Sequence, residues 1–260
     1  MTSENSAATP DWPRPYWTPG DEEPAILLFF VFGEFPAEIR IPASTYGSRG
    51  LPDGVELFRY PHATLKTWEG YPLAGALGDV LREDSAETFA AAAAAPEVLA
   101  VRGRVVDQPS LDYLRDTLGV LAGLLDLGGV AVVDPQILSL FDDAGWRRRF
   151  LVKGGAPPRN HTLILCTDAD DGSSWVRTRG MRKFARPDIS IRGVPRAQSG
   201  RAGALCEHLV ELQALGAHLA DGQVLEVEGL PDGLGVTRGG SFDDPLFNNT
   251  HVAVRWPAQR

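Results

Sequence analysis

Cysteine is scarce, with Cys166 and Cys206 as its only two representatives in 260 residues. They lie 40 positions apart and neither belongs to a C-x-x-C pair, which leaves zinc-ribbon and thioredoxin-type chemistry without ligands. Cys166 falls in an apolar strand-like run and Cys206 in a helix-like one, so both are expected to be buried, inert thiols. The longest apolar run, Ala25 to Phe32, is too short to span a bilayer. The first 24 residues are polar, acidic and rich in proline, unlike a secretory leader. The expectation is a soluble cytoplasmic protein with no membrane partner. Lysine is scarcer than its charge class suggests: Lys66, Lys153 and Lys183 leave 22 arginines among the 25 Lys+Arg. With the abundance of alanine, this resembles a GC-rich coding bias, and it weakens the case for any single arginine.

Motif absences narrow the chemistry further. No lysine follows a glycine as a P-loop requires, and neither an H-E-x-x-H nor a G-x-S-x-G appears. Gly233-Leu-Gly235-Val-Thr-Arg238 begins like a dinucleotide fingerprint but has arginine at the third glycine, and reads as a turn.

What is present is a strong segregation of charge. The chain carries a net charge of −9, yet Arg147 to Arg201 holds 13 of the 25 basic residues and only 4 of the 34 acidic ones. That segment is about +9 and the remainder about −18, which creates a local field that net charge hides.

Periodicity places the secondary structure. Ile26 to Phe32 reads as a central strand, with Ile39 to Ile41 as its hairpin partner and Val55 to Tyr60 as a short strand. Helices are expected at Leu73 to Leu81 and Ala86 to Ala95, followed by a strand at Val98 to Val106. Ser110 caps a helix over Leu111 to Leu127 that carries a leucine stripe. Val130 to Val133 returns as a strand, and Asp134-Pro135 then starts a helix running towards Trp146. After the Gly/Pro-rich connection Lys153 to Asn160 come strands at Thr162 to Cys166, Ser174 to Thr178 and Ile189 to Ile191. A helix at Ala202 to Ala220 and strands at Val224 to Val227 and His251 to Trp256 complete the chain. The predicted fold is α+β in two sheet-plus-helix halves. Residues 1–24 form a flexible Pro-rich tail, 25–152 the first half and 153–260 the second. A distant internal duplication is one reading of this order, although no motif repeats.

Two surfaces carry candidate chemistry. In the basic segment, strand parity puts Trp175, Arg177 and Arg179 on one face. Gly180 permits a turn, Met181 and Phe184 anchor it, and Arg182, Lys183 and Arg186 are expected to point outward. The candidate binding residues are Arg177, Arg179, Gly180, Arg182, Phe184, Arg186, Asp188, Asn248 and Asn249. The second surface is Ser241 to His251, where Asp243, Asp244 and His251 are the candidate ligands of a divalent metal. Its alternative reading is Asx-turn chemistry in a complex loop. His208 and Glu211, with Glu207, read as a solvated helix face.

Thr178-x-Gly180-Met181-x-x-Phe184-x-x-Pro187-Asp188-Ile189 resembles a signature of uncharacterised bacterial proteins that share a domain of unknown function. Asp243-Asp244-Pro245-x-Phe247-Asn248-Asn249-x-His251-Val252 is similar to a second element of that family. The likeness covers roughly Val98 to Trp256 and implies no reaction, since the family has none established. By analogy with small acidic α+β proteins, it points to an immunity or accessory factor. The leading expectation is therefore a non-enzymatic binding protein whose partner offers an acidic surface, with no cofactor. The alternatives are a metal-assisted hydrolase using Asp243, Asp244 and His251, and a regulator binding an anion or nucleic acid, the latter an unlikely partner for an acidic chain.

Overall fold

The computed structural model describes residues 11–20, 23–41 and 45–257. Its two sheets confirm the α+β class, each carrying its own helices. The first sheet has the order β2-β3-β1-β4-β5 and is antiparallel throughout: β1 Ala25–Gly33, β2 Val55–Pro61, β3 Glu97–Val105, β4 Gly129–Asp134 and β5 Ser139–Phe141. The central β1 is buried on both faces, as its bulky alternation requires. Leu27, Phe29 and Val31 face the main core. Phe30 and Phe32 join a smaller cluster under α1 His62–Leu65, α2 Gly75–Asp84 and α3 Ala86–Ala94.

The second sheet runs β6-β7-β8-β11-β10-β9: β6 Leu163–Asp168, β7 Ser173–Arg179, β8 Asp188–Pro195, β9 Val224–Leu225, β10 Leu234–Ser241 and β11 Asn249–Arg255. Its β8–β11 pair is parallel, and the first sheet has no counterpart to it. The two strand orders therefore differ. On one side α6, Ser199–Ala214, packs against β6, β7 and β8.

The two halves share an interior. One apolar cluster holds Leu27, Phe29 and α4 (Asp112–Asp126) together with Ile189, Ile191, Leu205 and Val252. A run of rings, Trp146, Phe150, His161 and Phe184, crosses between the sheets at centroid spacings of 4.4, 5.0 and 5.9 Å. The Gly/Pro-rich connection proposed as a boundary thus lies beside a continuous core.

Several expectations need correction. Ile39 to Ile41 forms no strand. Asp134-Pro135 starts no helix: the Asp134 carboxylate accepts the Gln136 amide at 3.1 Å, the chain turns through Leu138 at φ 52°, and β5 follows. The helix before and after Trp146 is α5, Asp143–Phe150, capped by Asp142, whose side chain accepts the Gly145 amide. β10 occupies the segment expected to be a glycine-rich turn; strand pairing with β11 overrides the low propensity of its glycines. Cys166 is exposed on β6, whereas Cys206 is buried and its thiol is pushed up to about 12 by burial.

Of the tail expected over residues 1–24, residues 11–17 are docked on the body, as the aromatic surface of Trp12 and Trp17 permits, while residues 1–10 and 21–22 lie outside the described residues. Arg14 is 3% exposed. It donates to the Ala214 carbonyl (2.9 Å), the Phe184 carbonyl (3.0 Å) and the Gln108 carbonyl (3.0 Å), and it pairs with the Asp107 carboxylate. Trp12 donates its amide to Asp112 (2.8 Å) and accepts the Leu111 amide (2.7 Å); Tyr16 donates its amide to the Leu215 carbonyl (3.0 Å). Residues 11–17 thus strap α4 to the end of α6. Gly216, at φ +106°, leaves room for the strap, since a β-carbon there would collide with the Trp17 amide.

Candidate functional site

β7 alternates as its sequence predicts. Ser174, Val176 and Thr178 are buried, while Trp175, Arg177 and Arg179 are half-buried on the opposite face. Register carries that face across the sheet. Arg177 lies opposite Ser190 of β8 and Leu165 of β6, and Ser190 lies opposite Ala253 of β11. His251 and Arg255 of β11 share this face, while Val252, Val254 and the following Trp256 turn to the core.

Trp175 organises the face. Its indole Nε1 donates to Ser190 Oγ at 3.0 Å. The guanidinium carbons of Arg177 and Arg192 lie 4.0 and 3.8 Å from the ring centroid. Two groups so near one centroid must take opposite sides of the ring, so both π-faces are occupied by cations. Arg177 Nη1 reaches on to Thr167 Oγ1 of β6 at 3.1 Å. Burial lowers the pKa of Arg177, and neighbouring Arg179 and Arg192 lower it further. The neighbouring cations thus add to the cost of burying Arg177, whereas Asp188 and Asp244 oppose the effect of burial at Arg179.

The two sequence elements flagged separately meet here. Thr178 donates to Asp188 Oδ1 (2.8 Å), and Asn249 Nδ2 donates to Asp188 Oδ2 (2.9 Å) and to the Arg186 carbonyl (3.0 Å). Asp188 is fully buried, and burial raises its pKa despite these donors. Outside this knot, Arg179 Nη1 donates to the carbonyls of Leu246 (2.6 Å) and Pro245 (3.2 Å), and Arg182 Nη1 to that of Asn248 (3.0 Å). Arg182 also lies over the Phe242 ring at 4.7 Å. The arginine corner and the C-terminal loop are one structure. Beside it opens a cleft of about 410 Å³ lined by Glu23, Arg182, Arg238, Gly240, Thr250 and His251.

Not every predicted residue faces solvent. Lys183 (0% exposed), Arg186 (2%), Phe184 (0%), Asp188 (0%) and Asn249 (2%) are interior, which corrects the outward placement of Lys183 and Arg186. Lys183 Nζ pairs with Asp134 Oδ2 at 2.5 Å and donates to the His161 carbonyl at 3.1 Å. Arg186 pairs with Asp107 at 3.0 Å and donates to the Gly216 (2.9 Å), Ala185 (2.8 Å) and Ala217 (3.2 Å) carbonyls. The short Met181–Phe184 turn explains the inversion: Gly180 enters it at φ +106° and Ala185 leaves it at φ 56°, which rolls these side chains beneath the sheet. Gly180 is required there, because a β-carbon would lie 2.5 Å from the His161 carbonyl oxygen.

The metal expectation for Asp243, Asp244 and His251 finds little geometry. Asp244 Oδ1 accepts the Leu246 amide at 2.9 Å, its carbonyl accepts the amides of Phe247 and Asn248, and Asp243 is exposed. The His251 ring stacks on Phe247 at 4.5 Å, and burial lowers its pKa. Among the described residues, no three His, Cys, Asp or Glu side chains converge as a ligand set. His208, Glu207 and Glu211 are exposed on α6, as expected.

Trp175, Ser190 and Arg192 were not identified as site residues from sequence. Alternation from Arg177 back to Trp175 was legible, but Arg192 joins the face only through the β7–β8 register. No helix among the described residues is long and apolar enough to cross a membrane. Neither a family model, nor a curated protein, nor a solved structure matches the chain.

Proposed function

We propose that this chain is a binding protein whose contact surface is the part of the second sheet that carries Trp175, Arg177 and Arg192, with the adjoining Arg179–Arg182 corner, and that its partner is a protein with an acidic surface. The observation that carries this reading is an imbalance. Arg177, Arg179, Arg182, Arg192 and Arg255 form no ion pair with a carboxylate among the described residues, whereas Arg14, Arg59, Arg115, Arg147 and Arg186 all do. The guanidinium groups of Arg177, Arg179, Arg182 and Arg192 are held by carbonyls, Thr167 and aromatic rings and have no carboxylate within ion-pair distance among the described residues. An acidic partner supplies the missing counter-charges and gains from steering by the local field. An immunity or accessory role, which acts by engagement rather than by chemistry, fits this surface.

Single-stranded nucleic acid is the weaker anion. Its binding relies on aromatic faces free to stack on bases, and both faces of Trp175 are covered. The test is affinity capture from the native host with three baits: the parent, Arg177→Glu with Arg192→Glu, and Arg40→Glu with Arg82→Glu as a charge-matched control elsewhere. The expected result is an acidic protein lost only from the double reversal. An identical list from all three folded baits overturns the reading.

A further inference from the structure

The sheet that carries the basic face ends on one side at β6, and this edge lacks the usual protection. Edge strands are commonly blunted by lysine, proline or a bulge. Leu163 to Thr167 reads Leu-Ile-Leu-Cys-Thr, and its pairing with β7 continues without a register shift from Leu163–Arg179 to Asp168–Ser174. The outer half of β6, from Cys166 to Asp168, is exposed. Opposite residues share a face, so Thr167 lies beside Trp175 and Leu165 beside Arg177. The Arg177 guanidinium is directed towards this edge, since it is bonded to Thr167 on the last strand.

From this juxtaposition we infer that the partner docks as an added strand: an extended acidic segment pairs its backbone with the free edge of β6 and lays alternate carboxylates over Arg177. A strand added there lies about 4.8 Å beyond β6, and every second side chain projects onto the basic face. Main-chain hydrogen bonds supply affinity, and the arginine row selects glutamate or aspartate at alternate positions. Charge argues against a second copy in this place. The segment from Arg147 to Arg201 carries 13 basic residues against 4 acidic ones, so edge-to-edge pairing brings like fields together.

The inference rests on the proposed basic contact face, and its test separates the two. Fluorescence anisotropy of the full chain would follow a labelled synthetic peptide alternating glutamate and threonine. Two derivatives are N-methylated on one or the other alternate set of amides, and a third carries lysine in place of glutamate. One methylated derivative should lose about tenfold or more in affinity while the other binds like the parent, because only one set of amides faces β6. The lysine peptide should not bind, and Arg177→Glu should weaken the parent peptide. Equal binding by both methylated peptides and the parent overturns strand addition but leaves the basic face standing. Failure of every acidic peptide to bind, alongside loss of an acidic partner from the Arg177→Glu, Arg192→Glu bait, also overturns it. So does a dimer that the peptide does not dissociate.

Discussion

Lys183 donates to Asp134 at 2.5 Å with both side chains fully buried, joining two residues 49 positions apart and, through them, the two sheets. Burial lowers the Lys183 pKa, against the opposing pull of Asp134. Breaking such a pair leaves one charge uncompensated in a low-dielectric interior. Lys183→Met alone should destabilise the protein by about 3–5 kcal/mol. Lys183→Met combined with Asp134→Leu should recover part of that loss, as urea denaturation of the two variants would show.

Arg14 and Arg186 share the Asp107 carboxylate. Burial tends to raise the Asp107 pKa, but the two guanidinium groups together hold it below the ordinary carboxylate range. Arg14→Ala removes one of these partners and leaves three carbonyls short of a donor. The expected outcome is a loss of about 3–5 kcal/mol, accompanied by proteolytic cleavage within residues 11–20 at a protease dose the parent survives.

His161 is buried among Phe150, Phe184 and Trp12. Burial first, and then Lys183 and Arg149, push its pKa well below the usual 6.5. The unfolded chain therefore takes up a proton that the folded one refuses, and stability falls as pH drops below about 6.5. The slope from this one group approaches about 1.4 kcal/mol per pH unit in that window. His161→Phe should flatten that part of the profile, measured as denaturation midpoint against pH. An unchanged slope would assign the acid sensitivity elsewhere.

Gly180→Ala combines an unfavourable left-handed backbone with a close contact to the His161 carbonyl oxygen. The backbone component alone costs about 1–2 kcal/mol. A clear fall in melting temperature is expected, larger than for Gly200→Ala, where a β-carbon meets nothing within 4 Å on the exposed side of α6.

Arg179→Ala probes the loop rather than the core. It releases the Pro245 and Leu246 carbonyls, so amide exchange in residues 243–248 should accelerate while the melting temperature moves little.

The strand face was readable in advance because a two-residue period needs no tertiary information: Trp175, Arg177 and Arg179 alternate with residues that the core requires. The interior cations were not readable. Lysine and arginine are almost always exposed unless paired, and the partners of Lys183 and Arg186, Asp134 and Asp107, lie 49 and 79 positions away. Asp134-Pro135 carried a genuine helix-start pattern, yet its carboxylate was claimed by Lys183 and by the Gln136 amide of a tight turn. β10 escaped detection because its glycines suggest a turn until β11 and β9 are placed on either side of it. The convergence of the arginine corner with the Asp243–His251 loop likewise appears only once β8 and β11 lie in parallel register.

The strap around Arg14 has a consequence for the order in which the chain acquires its shape. Residues 12 to 17 are translated well before their acceptors at Phe184, Ala214 and Leu215, which follow 170 to 200 residues later. At roughly 5–20 residues per second, that interval is on the order of 10–40 s. The strap is thus among the last parts of the fold to lock: its partners at Asp107, Gln108, Leu111 and Asp112 come first, and the other half of its contacts waits for the end of α6 to emerge.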